Sequence, residues 1–423
     1  MKRLILTLAR DPAIFVRAAY GMVLYGLGLV LGLFIRQPSS TGRPRVAFQS
    51  YAVHQALFYE TLIQRLLRDD RVDVFFTIWP HLEFPWSEQR RLHELATSRF
   101  GLDPSRVLPQ WRVMWWRFDL TTYSDVLGFF PLRAARTCVL PHGAGLFRRN
   151  FQKLGPRRSI YDFDFVITSG RYDRDLIVAN SEGRKLPRVY PVGLPYFDKY
   201  LHPDIPRRQY LSGMGLEDTR PVVLYAPHFS EALLPGNQGT RFFEDVLQEL
   251  AKLPVNVIVK PHAMLLSPGA VLGFDWKHVL LQAQTARLKV DSAPEDVDAL
   301  HAADVLITGL SSRAFNFMLL DKPVVLYPGR YVPEDSFARE RYRLMCEGST
   351  VADSLAALIA HVQDALLHPG MHSAARRRVA AALFSNLGNS TRDVASIFYQ
   401  EIGLEVEGAP RSQMRDASPL APR

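Results

Sequence analysis

Apolar and polar positions along this chain fall into three regimes. From residue 45 onward, short apolar runs alternate with segments of helical periodicity. Arg45–Ser50, Val72–Trp79, Thr137–Leu140, Phe163–Thr168 and Val189–Val192 read as strands. A polar stretch from Lys199 to Arg220 interrupts the series. A second series then runs through Val222–Tyr225, Val255–Val259, Val305–Ile307 and Val324–Tyr327. Unbroken apolar runs separated by helices mark parallel strands covered on both faces. The predicted fold class is therefore α/β, with two Rossmann-like domains facing across a cleft, over residues 45–200 and 201–405. No internal sequence repeat is visible.

The first and last regimes differ from this alternation. Ala18 to Ile35 carries no charge and would reach roughly 27 Å as a helix, close to the thickness of a hydrocarbon core. Lys2, Arg3, Arg10 and Arg17 precede it and Arg36, Arg43 and Arg45 follow, so the basic flanks set no orientation. A cleaved signal peptide is disfavoured, because no small-residue cleavage site follows the run. Residues 1–36 are expected to form a membrane-associated helix, either spanning the bilayer or embedded from one face, with 37–44 as a linker. Residues 407–423, rich in Pro, Ser, Arg and Ala, are expected to be a disordered tail.

Composition narrows the partners. A chain of 423 residues with 48% hydrophobic and 22% charged content is globular and long enough for two domains. Its formal net charge of +9 suits a phosphorylated substrate or an acidic membrane surface. No zinc-finger or RNA-binding signature appears, so no nucleic-acid partner is expected. Cys138 and Cys346 belong to no C-x-x-C pair, so neither a metal site nor a disulfide framework is expected.

Candidate chemistry lies where strands end. In Ala303–Tyr327 a strand passes through Thr308, Gly309 and Leu310 to Ser311 and Ser312, where a helix begins. Helix amino termini at the carboxyl edge of a parallel sheet favour phosphate, and two hydroxyls there add donors; a plain N-cap is the alternative. Arg313 follows the pair. His142, beside Gly143 and Gly145, and His262, after Lys260-Pro261, each follow a strand directly, one per domain at equivalent positions. Each can act as a general base or hold phosphate, or simply pack in a loop. Tyr225-Ala226-Pro227 ends the first strand of the second series and should project His228 towards the same cleft. Trp111, Trp115 and Trp116 either pack in the core or meet the amino-terminal helix. Arg376–Arg378 read as a solvated helix surface.

Taken in order, these segments resemble the CDP-glycerol glycerophosphotransferase family of teichoic acid and capsule synthesis. The resemblance is carried by His142-Gly143, the GLPYFD segment at Gly193, the YAP segment at Tyr225, the KPH segment at Lys260, the LITGLSSRAFNFMLLDKPVVLY block and Gly388–Arg392. It implies a glycosyltransferase-B architecture and a transferase on the cytoplasmic face of the cell inner membrane. Such an enzyme would move glycerol phosphate from a nucleotide-activated donor to a lipid-linked or polymer acceptor. His142 would match the family's base and His262 the donor-pyrophosphate histidine. Ser311 and Ser312, with Arg313, would bind donor phosphate; Gly143, Tyr225, Pro227, His228, Lys260 and Gly309 would line the site. No cofactor or metal is implied. The chain departs from the family where Gly309-Leu310 replaces an acidic residue, where Asn316 follows Phe315 in place of Asp, and where His228-Phe229-Ser230 replaces Thr-Trp-Arg. These changes bear on the donor, leaving a nucleotide-sugar glycosyltransferase or a UDP-sugar 2-epimerase-like enzyme as the alternative.

Overall fold

The computed structural model describes residues 41–79, 86–126, 133–146, 148–151, 159–227, 240–262, 276–328 and 336–406, with Val23, Gly26, Gly28, Val30 and Phe34. The expected tail 407–423 and the rest of the expected amino-terminal helix lie outside the described residues, among which no helix is long and apolar enough to cross a membrane.

The strands form two parallel sheets. The first comprises β1 (Arg45–Ser50), β2 (Asp73–Ile78), β3 (Val107–Pro109), β4 (Arg117–Tyr123), β5 (Arg133–Val139), β6 (Phe165–Ile167) and β7 (Arg188–Tyr190), ordered β3-β2-β1-β4-β5-β6-β7. The second comprises β8 (Val222–Ala226), β9 (Asn256–Val259), β10 (Leu288–Val290), β11 (Val305–Thr308), β12 (Val324–Leu326) and β13 (Thr350–Val351), ordered β10-β9-β8-β11-β12-β13. Both follow the doubly wound rule, reversing direction between β1 and β4 and between β8 and β11. Every residue of β1, β2 and β8 is buried; apolar residues fill the middle of each strand, while Arg45, Gln49, Ser50, Asp73 and Thr77 are buried polar residues of β1 and β2.

β3, β4, β10 and β13 escape the apolar pattern. β4 (RFDLTTY) lies between β1 and β5, yet Thr121 and Thr122 are buried polar residues within it. Asp119 Oδ2 also accepts the N–H of Arg45 at 2.7 Å. A central strand with this polarity looks like a loop to a hydropathy reading.

Two compact units result, one holding the first sheet with the chain from Phe384 onward, the other holding residues 199–383. The expected 201–405 half therefore ends earlier than the pattern suggested. Helix Ser390–Glu401 buries Val394, Ile397 and Phe398, and the Phe398 ring lies 6.1 Å from Phe48 and 6.0 Å from Phe165. Asp198 caps this helix from a distance, accepting the N–H groups of Gly388 at 2.7 Å and Thr391 at 2.8 Å. Gly193 adopts φ +81°, and a Cβ there would overlap Ser385 O and Ser390 Oγ. The GLPYFD and Gly388–Arg392 segments are thus two halves of one structural joint.

In the second unit, Val223, Tyr225, Val257 and Ile307 pack against Phe243, Val246 and Leu250 of helix Thr240–Lys252 and against Leu358 and Val362 of helix Leu355–Leu367. Arg376, expected on the surface, is buried: its Nε donates to Asp321 Oδ1 at 3.0 Å and its Nη2 to Pro369 O at 2.9 Å. Neighbouring Arg377 and Arg378 remain exposed. Trp116 is a core residue beside Phe75 and Phe118.

Candidate active site

In the first unit, the loops leaving β1, β4 and β5 meet beside the reversal point. His142 stands three residues beyond β5. Its Nδ1 lies 2.9 Å from the carbonyl oxygen of Ser124, which follows β4. A carbonyl only accepts, so this contact places the proton on Nδ1 and the lone pair of the neutral ring on Nε2. That is the tautomer a general base requires. His54, on the short helix after β1, sets its ring 6.0 Å from that of His142 in an edge-on arrangement. Phe58 lies 6.4 Å from His142 and stacks on Tyr196 at 4.3 Å.

The glycine loop after His142 is fixed from below. Asp173 is buried in the first turn of helix Arg171–Ala179. Its carboxylate accepts from Leu146 N at 2.8 Å, Gly145 N at 3.2 Å and Ser169 Oγ at 2.8 Å. Gly145 adopts φ +79°, the left-handed conformation that glycine takes without strain. Three donors on one buried carboxylate explain why a charge is tolerated there. The sequence reading missed both Asp173 and His54. An acidic residue in the first turn of a helix that follows a strand, Ser169-Gly170-Arg171-Tyr172-Asp173, was the available signal for the former.

In the second unit, β9 and β11 flank β8, so the KPH, YAP and serine segments leave the sheet side by side. Thr308 Oγ1 donates to Ala226 O at 2.7 Å, joining β11 to the end of β8. Arg313 Nη1 donates to Lys260 O at 2.8 Å, joining the serine helix to the segment that ends in His262. Ser312 is the N-cap residue of helix Arg313–Leu319 but makes no side-chain cap bond, so capping does not account for its hydroxyl. Ser311 Oγ accepts from Arg313 N at 3.3 Å. Gly309, Pro227 and Ser311 are buried, whereas Ser312, Arg313 and His262 are partly exposed.

Two residues expected to line the site do other work. Tyr225 is a core side chain with its ring 6.3 Å from that of Phe243. Its strand is central and covered on both faces. Lys260 is 1% exposed, with Nζ 2.8 Å from Asp291 Oδ2 and 2.7 Å from Ala293 O. Burial pushes the Lys260 pKa down, opposed by Asp291. Its ammonium is thus spent inside the unit, and its carbonyl is what reaches the site. His228 lies outside the described residues. His142 and His262 are also not equivalent. His142 follows β5, on the β4 side of its reversal point, whereas His262 follows β9, on the opposite side of its own.

Asn316 has a local account. Its Nδ2 donates to Tyr200 OH at 3.0 Å, and Tyr200 OH donates to Asp296 Oδ1 at 2.9 Å. An aspartate at position 316 has no donor to offer the Tyr200 oxygen and would crowd a second carboxylate towards Asp296.

Two doubly wound units with their polar residues at the strand ends define a glycosyltransferase-B-like fold. Over much of its length the chain is similar to the wall teichoic acid polymerase TagF (TM-score 0.58, 10% identity, 93% of this chain and 98% of that one). It is also similar to a putative UDP-N-acetylglucosamine 2-epimerase from Listeria monocytogenes (TM-score 0.59, 15% identity, 85% and 97%). At these identities the likeness is one of fold. Residues 146–341 match the model of the CDP-glycerol:poly(glycerophosphate) glycerophosphotransferase family. A sequence relative is the teichoic acid glycerol-phosphate primase of Bacillus subtilis (strain 168), 28% identical over 179 residues; the match spans 42% of this chain and 42% of that protein's length. The family resemblance read from the sequence is thereby borne out.

Proposed function

We propose that the protein transfers glycerol phosphate from CDP-glycerol to a hydroxyl of a poly(glycerophosphate)-type acceptor at the cytoplasmic face of the membrane. The observation that carries this reading is the His142 tautomer, set by the Ser124 carbonyl at 2.9 Å, in a chain with the family's donor segment. The acceptor hydroxyl gives its proton to His142 Nε2. Its oxygen forms a bond to the β-phosphorus of the donor, and the pyrophosphate P–O bond breaks to release CMP. Positive and hydrogen-bonding groups aimed at the departing phosphate lower the barrier. In this reading those groups are His262, the Ser311 and Ser312 hydroxyls and the Arg313 guanidinium. Gly143 lets backbone approach the acceptor, and Gly309 and Pro227 shape the donor side.

Thermal unfolding with CDP-glycerol, CMP and UDP-sugars tests the donor. A ligand at 100 times its Kd should add about 2.7 kcal/mol to stability. Selective stabilisation by cytidine ligands is expected. Selective stabilisation by UDP-sugars, with turnover in the absence of any acceptor, would replace the transfer reading with an epimerase-like one.

A further inference from the structure

The helical segment after β1 is closed to solvent on every side but one. From Ala52 to Glu60 each residue is buried except His54 and Phe58. Four residues apart, these two share one face of the segment. Both rings stand edge-on to the His142 imidazole, at 6.0 Å and 6.4 Å. The one open stripe of this segment is therefore turned towards the proposed base.

The stripe is held in place by groups that are not part of it. Buried Glu88 accepts Val53 N at 2.8 Å through Oε1 and Arg91 Nη1 at 3.1 Å through Oε2. Gln55 Oε1 accepts from Ser124 Oγ at 3.0 Å, and Gln55 Nε2 donates to Tyr51 OH at 2.7 Å. Ser124 is the residue whose carbonyl fixes His142. The two imidazoles are thus set in register through Gln55 and Ser124, independently of the chemistry of the His54 ring. The carboxylates of Glu88 and Asp173 are turned to protein donors.

We infer that His54 is an acceptor-binding residue: it holds the phosphodiester nearest the attacking hydroxyl, while Phe58 lines the glycerol between them. This rests on the transfer reading above and names how the acceptor is recognised. In a poly(glycerophosphate)-type acceptor a single glycerol separates the terminal hydroxyl from the nearest phosphate, a span of the same order as the distance between the two rings. An imidazole beside that anion donates an N–H to it, and the anion draws a proton onto the ring, making the bond charge-assisted. His142 then meets the hydroxyl and His54 the phosphate. Such a pair discriminates an acceptor that already ends in glycerol phosphate from a neutral diol with the same hydroxyls.

The test uses the full chain, CDP-glycerol and two synthetic acceptors: octyl glycerophosphate, with one phosphodiester beside its terminal glycerol, and octyl glycerol, without it. The parent is expected to favour the phosphodiester by about tenfold or more in kcat/KM. His54→Gln should abolish that preference, chiefly by raising KM for the phosphodiester, with a smaller change in kcat and an unchanged Kd for CDP-glycerol. His54→Arg, which keeps a cation, should restore much of it. Thermal unfolding of each variant checks its folding. Equal losses on both acceptors in His54→Gln would mean that His54 acts through His142 or the fold, and would overturn the inference. So would a preference that survives the substitution, or a parent that transfers equally well to both; these outcomes leave the transfer reading intact. A parent that binds CDP-glycerol yet transfers to neither acceptor overturns both readings.

Discussion

The carboxyl edges of the two sheets handle charge in opposite ways. At the first, the functional imidazole leans on a neutral group, the Ser124 carbonyl, and the buried charge of Asp173 sits below the loop, satisfied by backbone N–H groups. At the second, cations predominate, and each is tied to a carboxylate: Lys260 to Asp291 at 2.8 Å and Arg313 to Asp296 at 3.4 Å. The difference suits the proposed roles. A carbonyl partner fixes one tautomer of the base and turns its other nitrogen outward as an acceptor. A site for a dianionic donor must offer donors without leaving buried cations unbalanced when the donor departs. It does so by pairing the cations with the protein's own acids and presenting backbone, hydroxyl and imidazole groups outward.

The sharpest way to break this contrast is to remove one partner of the buried pair. Lys260→Ala leaves Asp291 beside Tyr210, whose hydroxyl donates to the same carboxylate oxygen at 2.7 Å. A buried pair deprived of one member costs about 3–5 kcal/mol, so the urea midpoint should fall steeply. Loss of under 1 kcal/mol would show that the pair is not the brace described above. A smaller effect is expected at the first edge. Asp173→Ala orphans the N–H groups of Gly145 and Leu146, at about 1–3 kcal/mol. It should lower turnover through a loosened His142 loop while leaving donor affinity unchanged. Equal losses of turnover and donor affinity would contradict the division of labour between the edges.

The smallest effect concerns pH. Lys322 donates to Ala303 O at 2.8 Å and also to His301 O, and its pKa is pushed down to about 8, chiefly by burial. A lysine whose folded pKa lies below its unfolded value binds fewer protons when folded. Stability therefore rises as pH increases from about 8 towards the ordinary lysine value of about 10.4. Urea midpoints across that range should show this slope in the parent and a flatter line in Lys322→Met. Parallel lines would assign the slope to other groups.

What the sequence made legible follows the same physics. Strands buried on both faces announced themselves as apolar runs, and the serine helix and both histidines stood where strands end. β4 stayed hidden because Thr121 and Thr122 spend polar residues in a central strand. The return of the chain at Phe384 was hidden because its cause is a long-range cap, Asp198 on the helix from Ser390, that no local pattern encodes. Lys260 and Tyr225 were legible as motif members but not as core residues. A motif fixes the backbone path, and the direction of each side chain is decided by what covers the strand. The apparent equivalence of His142 and His262 had a similar origin, since the order of strands in a sheet is not their order in the chain.

The central claim is that catalysis and donor binding reside in different units. Titration calorimetry of CDP-glycerol into His142→Ala and His262→Ala, beside the parent, tests it most directly. Donor affinity should be unchanged in His142→Ala, whose transfer rate falls about 100-fold or more, and should weaken about tenfold or more in His262→Ala through loss of a charge-assisted bond. Undiminished affinity in His262→Ala, or lost affinity in His142→Ala, would contradict the account.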